Sequence, residues 1–346
     1  MSSKIRIGVL SFAHYHARFW SETFRDSPIA DFIGVWDEDS DRGKQAASSY
    51  GTRYWADLSE LLQSCDAVAV CSETVHHLRL IREAVRYECH ILCEKPLATT
   101  LADCDLIEGL VREVGVTFMQ SFPKRFDPIN LELKRILDSG ELGKLAMVRV
   151  RHGHFHGLEP NFHKEWFVEP SLGGGGTLID EGVHAADFLR WMFGEPTSVV
   201  AMKSNATLKL PVEDAALAIF KFPSGMLAEV CTSWSFAAAN DSIEVYGTKG
   251  TVLISGVDLG SRDITEGGYL KLYYASPGTK RWTVSDIVPR FKTGGFHQQN
   301  AIHFLAALHE GKPPPITIAD GRRALELILA AYRAIESGQE QPIAPR

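Results

Sequence analysis

Ile91-Leu92-Cys93-Glu94-Lys95-Pro96 reads as a short apolar strand that ends on an acid, an ammonium and a proline. In an open α/β sheet, ligands bind outside the carboxyl ends of the strands. A Lys at such an end can place its charge on a substrate. It can equally be a solvated Lys beside an acid, which is a common strand end. Pro96 denies Lys95 much of the helical region and holds it extended. The flanking sequence says what kind of sheet this strand belongs to. Upstream, residues 5–10, 32–36 and 66–71 are strand-like, and residues 16–25, 41–50, 57–63 and 77–86 are helical. Downstream, residues 100–114 form a helix and 116–119 a strand. Strands spaced by helices imply parallel pairing with right-handed crossovers. Residues 1–122 are therefore expected to form a doubly wound, dinucleotide-binding type of domain.

The pattern changes after Phe122. Residues 128–139 are helical. Then residues 146–156, 197–205, 215–222, 227–234, 241–246, 251–255 and 269–274 alternate like an antiparallel sheet. Pro223-Ser224-Gly225 and Gly247-Thr248-Lys249-Gly250 read as hairpin turns. Residues 177–193 read as one helix, and two more helices (296–309 and 320–337) close the chain. The Gly and Pro of residues 256–295 suggest a mobile loop region. Residues 123–346 are expected to be an α+β domain on a large open sheet that binds substrate and supports oligomers.

Composition narrows the function classes. The chain has 346 residues, 45% of them hydrophobic, and a net charge of −7 without a long basic run, so nucleic-acid binding gets no support. Its six Cys make no CxxC pair, which suggests a reducing compartment. With no leader and no run of about 18 apolar residues, a cytoplasmic protein is expected, with no membrane partner.

After the first strand a dinucleotide fold normally carries G-x-G-x-x-G, where backbone amides and a helix N-terminus meet the pyrophosphate. Here the aligned residues are Ser11-Phe12-Ala13-His14-Tyr15-His16, with no glycine at all. Ser11 and Ala13 are small, and His16 is bulky where helix and strand usually pack closely. The loop reads either as a modified cofactor loop, touched through Ser11, Phe12, Ala13 and His14, or as an ordinary turn. Asp37 ends the second strand, where an acid can bind ribose hydroxyls; Glu38 and Asp39 would repel a 2′-phosphate, favouring NAD over NADP. Asp37 could also simply head a turn.

Gly173-Gly174-Gly175-Gly176 leads into a segment carrying Asp180 and His184. Four residues apart on a helix, they share one face. The glycines would let a ligand approach the backbone. A His beside a carboxylate can act as general base near neutral pH, although the same pair can be a plain helix-surface contact. His152, His154 and His156 alternate on one expected strand, with His163 and Trp166 following. A sugar-binding wall is the preferred reading, a core or interface row the second, and a zinc site the third. No metal is assigned.

Taken together, these stretches resemble the glucose–fructose oxidoreductase/inositol dehydrogenase/MocA family over nearly the whole chain. The resemblance rests on Glu94-Lys95-Pro96, the Ser72-Glu73-Thr74-Val75-His76-His77 loop, Arg125-Phe126-Asp127-Pro128, Ser139-Gly140-Glu141-Leu142-Gly143, and the G-G-x-L-x-D-x-G-x-H-x-x-D pattern from Gly175 to Asp187. It implies a Rossmann domain followed by an open-sheet domain, and hydride transfer between NAD(P) and a hydroxyl carbon of a sugar, cyclitol or glycoside. It implies Lys95, Asp180 and His184 as catalytic residues. Asp37, Cys71, Ser72, His77 and Glu94 would line the cofactor; His154, His156 and Trp166 would meet a carbohydrate or polyol. A homodimer or homotetramer would be the assembly. Two departures stand out: the absent glycines, and Ser72-Glu73 where the family usually has Thr-Pro. The rival readings are a non-catalytic sensor of sugar or dinucleotide, and a redox-neutral glycoside-cleaving enzyme that uses bound NAD.

Overall fold

A computed structural model describes residues 4–237, 241–257, 270–276, 279–287 and 295–345. The chain divides into two compact units, residues 1–123, 171–174 and 297–325, and residues 124–170, 175–296 and 326–346.

The first unit is built on five parallel strands: β1 (Ile5–Leu10), β2 (Ala30–Trp36), β3 (Ala67–Val70), β4 (His90–Cys93) and β5 (Phe118–Gln120), in the order β2-β1-β3-β4-β5. Its helices are α1 (Ala17–Asp26), α2 (Ser40–Tyr50), α3 (Leu58–Ser64), α4 (His77–Arg86) and α5 (Leu101–Val114). The strands bury both faces, as parallel strands under helices must: Ile7, Val9, Ala67 through Val70, Ile91 and Leu92 are fully enclosed. Side-chain caps set the helix starts. Asp39 accepts the amides of Asp41 and Arg42, Asp57 those of Ser59 and Glu60, and Thr100 that of Asp103.

The second unit begins with α6 (Pro128–Asp138), capped by Asp127, and β6 (Leu145–Gly153). A short helix α7 (Pro170–Gly173) precedes α8 (Thr177–Asp180) and α9 (Gly182–Phe193). Strands β7 (Ser198–Ser204), β8 (Ala215–Lys221), β9 (Leu227–Ser233), β10 (Asp241–Gly247), β11 (Gly250–Val257), β12 (Leu270–Ser276) and β13 (Thr279–Val284) follow. The chain ends in α10 (Gly295–Glu310), α11 (Ile318–Ser337) and β14 (Gln341–Pro342). The sheet runs β13-β12-β11-β10-β6-β9-β8-β7-β14, antiparallel except where β6 meets β9. Both expected hairpins form, between β8 and β9 and between β10 and β11. In β8 burial alternates residue by residue, so one face is covered. Helices α8 and α9 pack on β6, β8 and β9.

Four expectations need correction. Residues 177–193 are two helices, broken at Glu181. Strand β6 stops at Gly153, so His154 lies beyond it and His156 opens a short 3-10 turn; the three histidines are not one strand row. The strand expected over 269–274 is β12, but β13 also falls in the stretch read as a loop, of which residues 258–269, 277–278 and 288–294 lie outside the described residues. Finally, residues 297–325 group with the first unit, which a single cut at Phe122 does not capture.

Candidate active site

Glu94 and Lys95 leave β4 at its carboxyl end and are both buried, at 0% and 3% exposure. Lys95 is therefore not a solvated surface group. Glu94 Oε2 accepts the Lys95 amide at 2.8 Å, and Oε1 accepts the Ser121 hydroxyl at 3.2 Å. Gln120 donates its side-chain amide to the carbonyls of Cys93 (3.1 Å) and Glu94 (2.8 Å), pinning the strand end. The Lys95–Pro96 peptide bond is cis.

The sheet order turns back between β1 and β3, which makes their carboxyl ends the place where an open α/β sheet takes a ligand. The loops there are tied together by His14 N–H donating to the Cys71 carbonyl at 2.9 Å. Ser11 has φ 73°, the left-handed conformation that glycine normally supplies. Ala13 keeps the next approach free of bulk. In shape the loop fits a dinucleotide. Its amides, however, already have acceptors: Phe12 N–H on Asp37 (2.7 Å), Ala13 N–H on Ser11 Oγ (3.1 Å) and His16 N–H on His14 Nδ1 (3.2 Å). A phosphate meets these amides only in exchange for an internal partner.

Asp37 is occupied in the same way. It accepts the Asp39 amide at 2.9 Å and the Arg42 guanidinium at 2.9 and 2.7 Å. Arg42 also donates to Ser11 Oγ at 3.2 Å and lies 3.6 Å from Glu73, while Arg79 pairs with Glu38. Sequence reasoning missed Arg42, although an Arg in the first turn of the helix after Asp37 was a readable signal. Ser72 donates to the Glu73 carbonyl, and His77, fully buried, sets its ring nitrogens 3.2 Å from the Leu97 carbonyl and 3.3 Å from that of Ser72. Burial holds the His77 imidazole below its usual range. Burial likewise pushes the Cys71 thiol well up, so Cys71 contributes its carbonyl and not a thiolate.

In the second unit, Glu213 organises the approach to Asp180. Its Oε1 accepts the amides of Gly176 (3.0 Å) and Leu178 (3.1 Å) and the Tyr332 hydroxyl (2.6 Å), which places a carboxylate on the N-terminus of α8. A Cβ on Gly176 would lie 2.1 Å from the Glu213 carbonyl oxygen, and one on Gly175 2.3 Å from the Tyr332 hydroxyl. These two glycines thus make room for Glu213 and Tyr332, not for a ligand as expected. Asp180 accepts the indole N–H of the fully buried Trp234 at 3.0 Å. His184, in the first turn of α9, has its ring 5.3 Å from that of His152.

Between Asp180 and His184 sits Glu181, to which the sequence assigned no role. Its carboxylate lies 2.8 Å from His152 Nε2 and 3.1 Å from His154 Nε2. Burial alone would raise the Glu181 carboxyl, but the two imidazoles outweigh it and hold it well below the usual range. Behind His152 lie Asp241 (3.6 Å) and then Lys124 (3.6 Å from Asp241), whose ammonium is lowered by burial. His156 pairs with Glu159 at 3.1 Å, and Trp166 stacks on Phe167 at 4.0 Å. Arg125 grips Asp187 at 2.9 and 2.6 Å, joining the Arg125–Pro128 stretch to the end of the Gly175–Asp187 pattern within this unit.

Residues 6–122 match the model of an oxidoreductase family with an NAD-binding Rossmann fold, and residues 130–253 match the GFO/IDH/MocA C-terminal domain. The chain belongs to the GFO/IDH/MocA family. It is an oxidoreductase. Among relatives of this GFO/IDH/MocA chain, scyllo-inositol 2-dehydrogenase (NAD(+)) of Bacillus subtilis is 29% identical, covering 98% of this chain and 96% of the relative. Myo-inositol 2-dehydrogenase of Thermotoga maritima is 25% identical, covering 96% of each. In fold, the chain is similar to aldose-aldose oxidoreductase from Caulobacter crescentus, with a TM-score of 0.83 at 23% identity over 98% of this chain and 100% of that one.

Proposed function

We propose that this GFO/IDH/MocA oxidoreductase moves a hydride between NAD and a hydroxyl-bearing carbon of a small sugar, cyclitol or glycoside. The observation that carries the reading is the buried Lys95 at the end of β4, in a chain whose second unit holds Asp180 and His184 beside the buried His152–Glu181–His154 cluster. A sensor needs no such set of acids and bases. Full-length relatives named as dehydrogenases support turnover over sensing or redox-neutral cleavage.

In this mechanism His184 takes the proton of the substrate hydroxyl as general base. Asp180, oriented by the Trp234 indole, steadies His184 or a neighbouring hydroxyl. Lys95 puts its ammonium on the substrate oxygen and stabilises the developing alkoxide. His154, His156 and Trp166 contact the carbohydrate. Ser11 through His14, Asp37, Cys71, Ser72, His77 and Glu94 hold the dinucleotide, whose nicotinamide supplies the hydride acceptor. Lys95→Ala is expected to cut turnover by about two orders of magnitude or more, while fluorescence titration still reports NADH binding. Turnover at the wild-type rate in that variant would sink the assignment, and so would product formation without a matching change in NADH.

NAD is the proposed cofactor because Asp37, Glu38, Asp39 and Glu73 outnumber Arg42 and Arg79 around the ribose end. Arg42→Ala should weaken NADPH binding further and leave NADH binding in place. Tighter NADPH than NADH binding by the wild type would overturn this preference. The outward residues Val200, Met202, Leu217, Ile219 and Leu227 form an apolar face on β7, β8 and β9. That face supports a homodimer or homotetramer, read by light scattering. No helix among the described residues is long and apolar enough to cross a membrane; a cytoplasmic location accords with that.

A further inference from the structure

The sequence assigned His14 only to the cofactor loop and His16 to nothing, and the structure brings both to Glu94 and His297. All four belong to the first unit. They come from the β1–α1 loop, the end of β4 and the start of α10, and each is at most 3% exposed. His16 Nδ1 lies 2.8 Å from Glu94 Oε1. The His16 ring centroid is 3.8 Å from that of His297 and 4.2 Å from that of His14, with planes inclined at 40° and 54°. Packed aromatic rings prefer centroids about 4.5–7 Å apart, offset-stacked or edge-on. The His16 ring lies closer than that to both neighbours, while His14 stacks on Tyr15 and His297 on Phe19.

One ligand atom each from His14, His16 and Glu94 lies within 4.8 Å of the other two. Around a tetrahedral zinc with bonds of about 2.1 Å, ligand atoms sit roughly 3.4 Å apart. Side-chain rotations of about an ångström close that gap. Two imidazoles and a carboxylate form a borderline N/O donor set suited to zinc and its first-row neighbours. Glu94 is already oriented by the Lys95 amide and the Ser121 hydroxyl, the outer-shell support that ligating carboxylates have. The Lys95 ammonium beside the cluster competes with a cation there. A second cluster, His154 with Asp180 and Glu181, has the spacing too, but offers one imidazole and two acids, each acid already facing a nitrogen donor.

We propose that His14, His16 and Glu94 bind one divalent transition-metal ion of the zinc class. The ion clamps the glycine-free loop to the end of β4. His14 and Glu94 are also among the residues proposed to hold the dinucleotide, so metal binding is read on the protein without cofactor.

The test uses the full-length, untagged protein. After chelation, zinc is added back and binding is followed by metal analysis and thermal shift. About one equivalent should bind and raise the melting temperature. His14→Gln and His16→Gln should each weaken binding roughly tenfold or more, while His154→Gln should not. If those variants fail to fold, X-ray absorption of the zinc-loaded wild type should show N/O ligands at about 2.0–2.1 Å with outer-shell scattering from two imidazoles. Failure of the wild type to bind zinc, cobalt or manganese at micromolar concentration overturns the proposal. So does a spectrum with one imidazole or none, or metal lost in His154→Gln and kept in His14→Gln.

Discussion

Asp127 caps α6 by accepting the Ile129 amide at 2.9 Å, yet it is fully enclosed. Burial raises its carboxyl to about 7 from 3.8; Asp241 adds to the rise, against the Ile129 amide and Lys124. The folded state thus holds the proton more tightly than the unfolded chain. The stability this provides is fully present below about pH 3.8 and is lost as the pH climbs towards 7. A rise of about three units corresponds to on the order of 4 kcal/mol. Asn caps a helix as well as Asp and does not ionise. Asp127→Asn should therefore match the wild type near pH 4 and exceed it above pH 7 by about 1–4 kcal/mol in urea unfolding. Identical stability profiles in the two proteins would exclude the assignment. Glu181 runs in the opposite sense: its stabilisation is present above about 4.5 and disappears as pH falls through its depressed value.

Helix α8 is only four residues long and owes its position to Glu213, not to propensity. Gly176→Ala drives a methyl into the Glu213 backbone and should cost about 1–3 kcal/mol or more, with activity falling as Asp180 moves. Gly109→Ala in α5 is the contrast. Its Cβ would meet nothing within 4 Å, so a gain of about 0.5–1 kcal/mol is expected by chemical denaturation. A tolerated Gly176→Ala would remove Glu213 as the organiser of this segment. The same element shows where sequence legibility ends. Apolar runs such as Ala67–Val70 announced the parallel strands, because burial on both faces leaves no alternation to misread. The break at Glu181 was hidden, because apolar helical spacing continues through it. The end of β6 was hidden likewise: Gly153 faces the Ser233 backbone, where a Cβ would sit 2.2 Å from its carbonyl oxygen. Asp180 and His184 were expected on one face of a single helix, but they lie on α8 and α9. Arg42 was readable from its place five residues after Asp37, whereas Glu213 and His297 reach their partners only through tertiary packing.

At the scale of the molecule, the first unit is not contiguous in sequence. Residues 297–325 return to it and are bound tightly: Trp20 donates to the His297 carbonyl at 3.2 Å, Asn300 to Ser121 at 3.3 Å, and Arg322 to Asp105 at 2.6 Å. Gly321 lies so close to Gln120 that a Cβ would stand 2.4 Å from its side-chain oxygen. A protein ending at residue 123 keeps all five parallel strands and loses every one of these partners. It is expected to expose Trp20 and Phe122, bind the dye ANS and melt without a cooperative transition, whereas a fusion that restores residues 295–325 through a flexible linker should melt cooperatively. Cooperative melting of the short fragment would show the returning segment to be dispensable. The consequence reaches into heredity. A gene segment that encodes the whole parallel sheet still does not encode a transplantable module, so recombination at the obvious boundary would yield two incomplete products. Exchange of cofactor domains between chains of this design requires two crossovers, one of them far downstream of the domain that is exchanged.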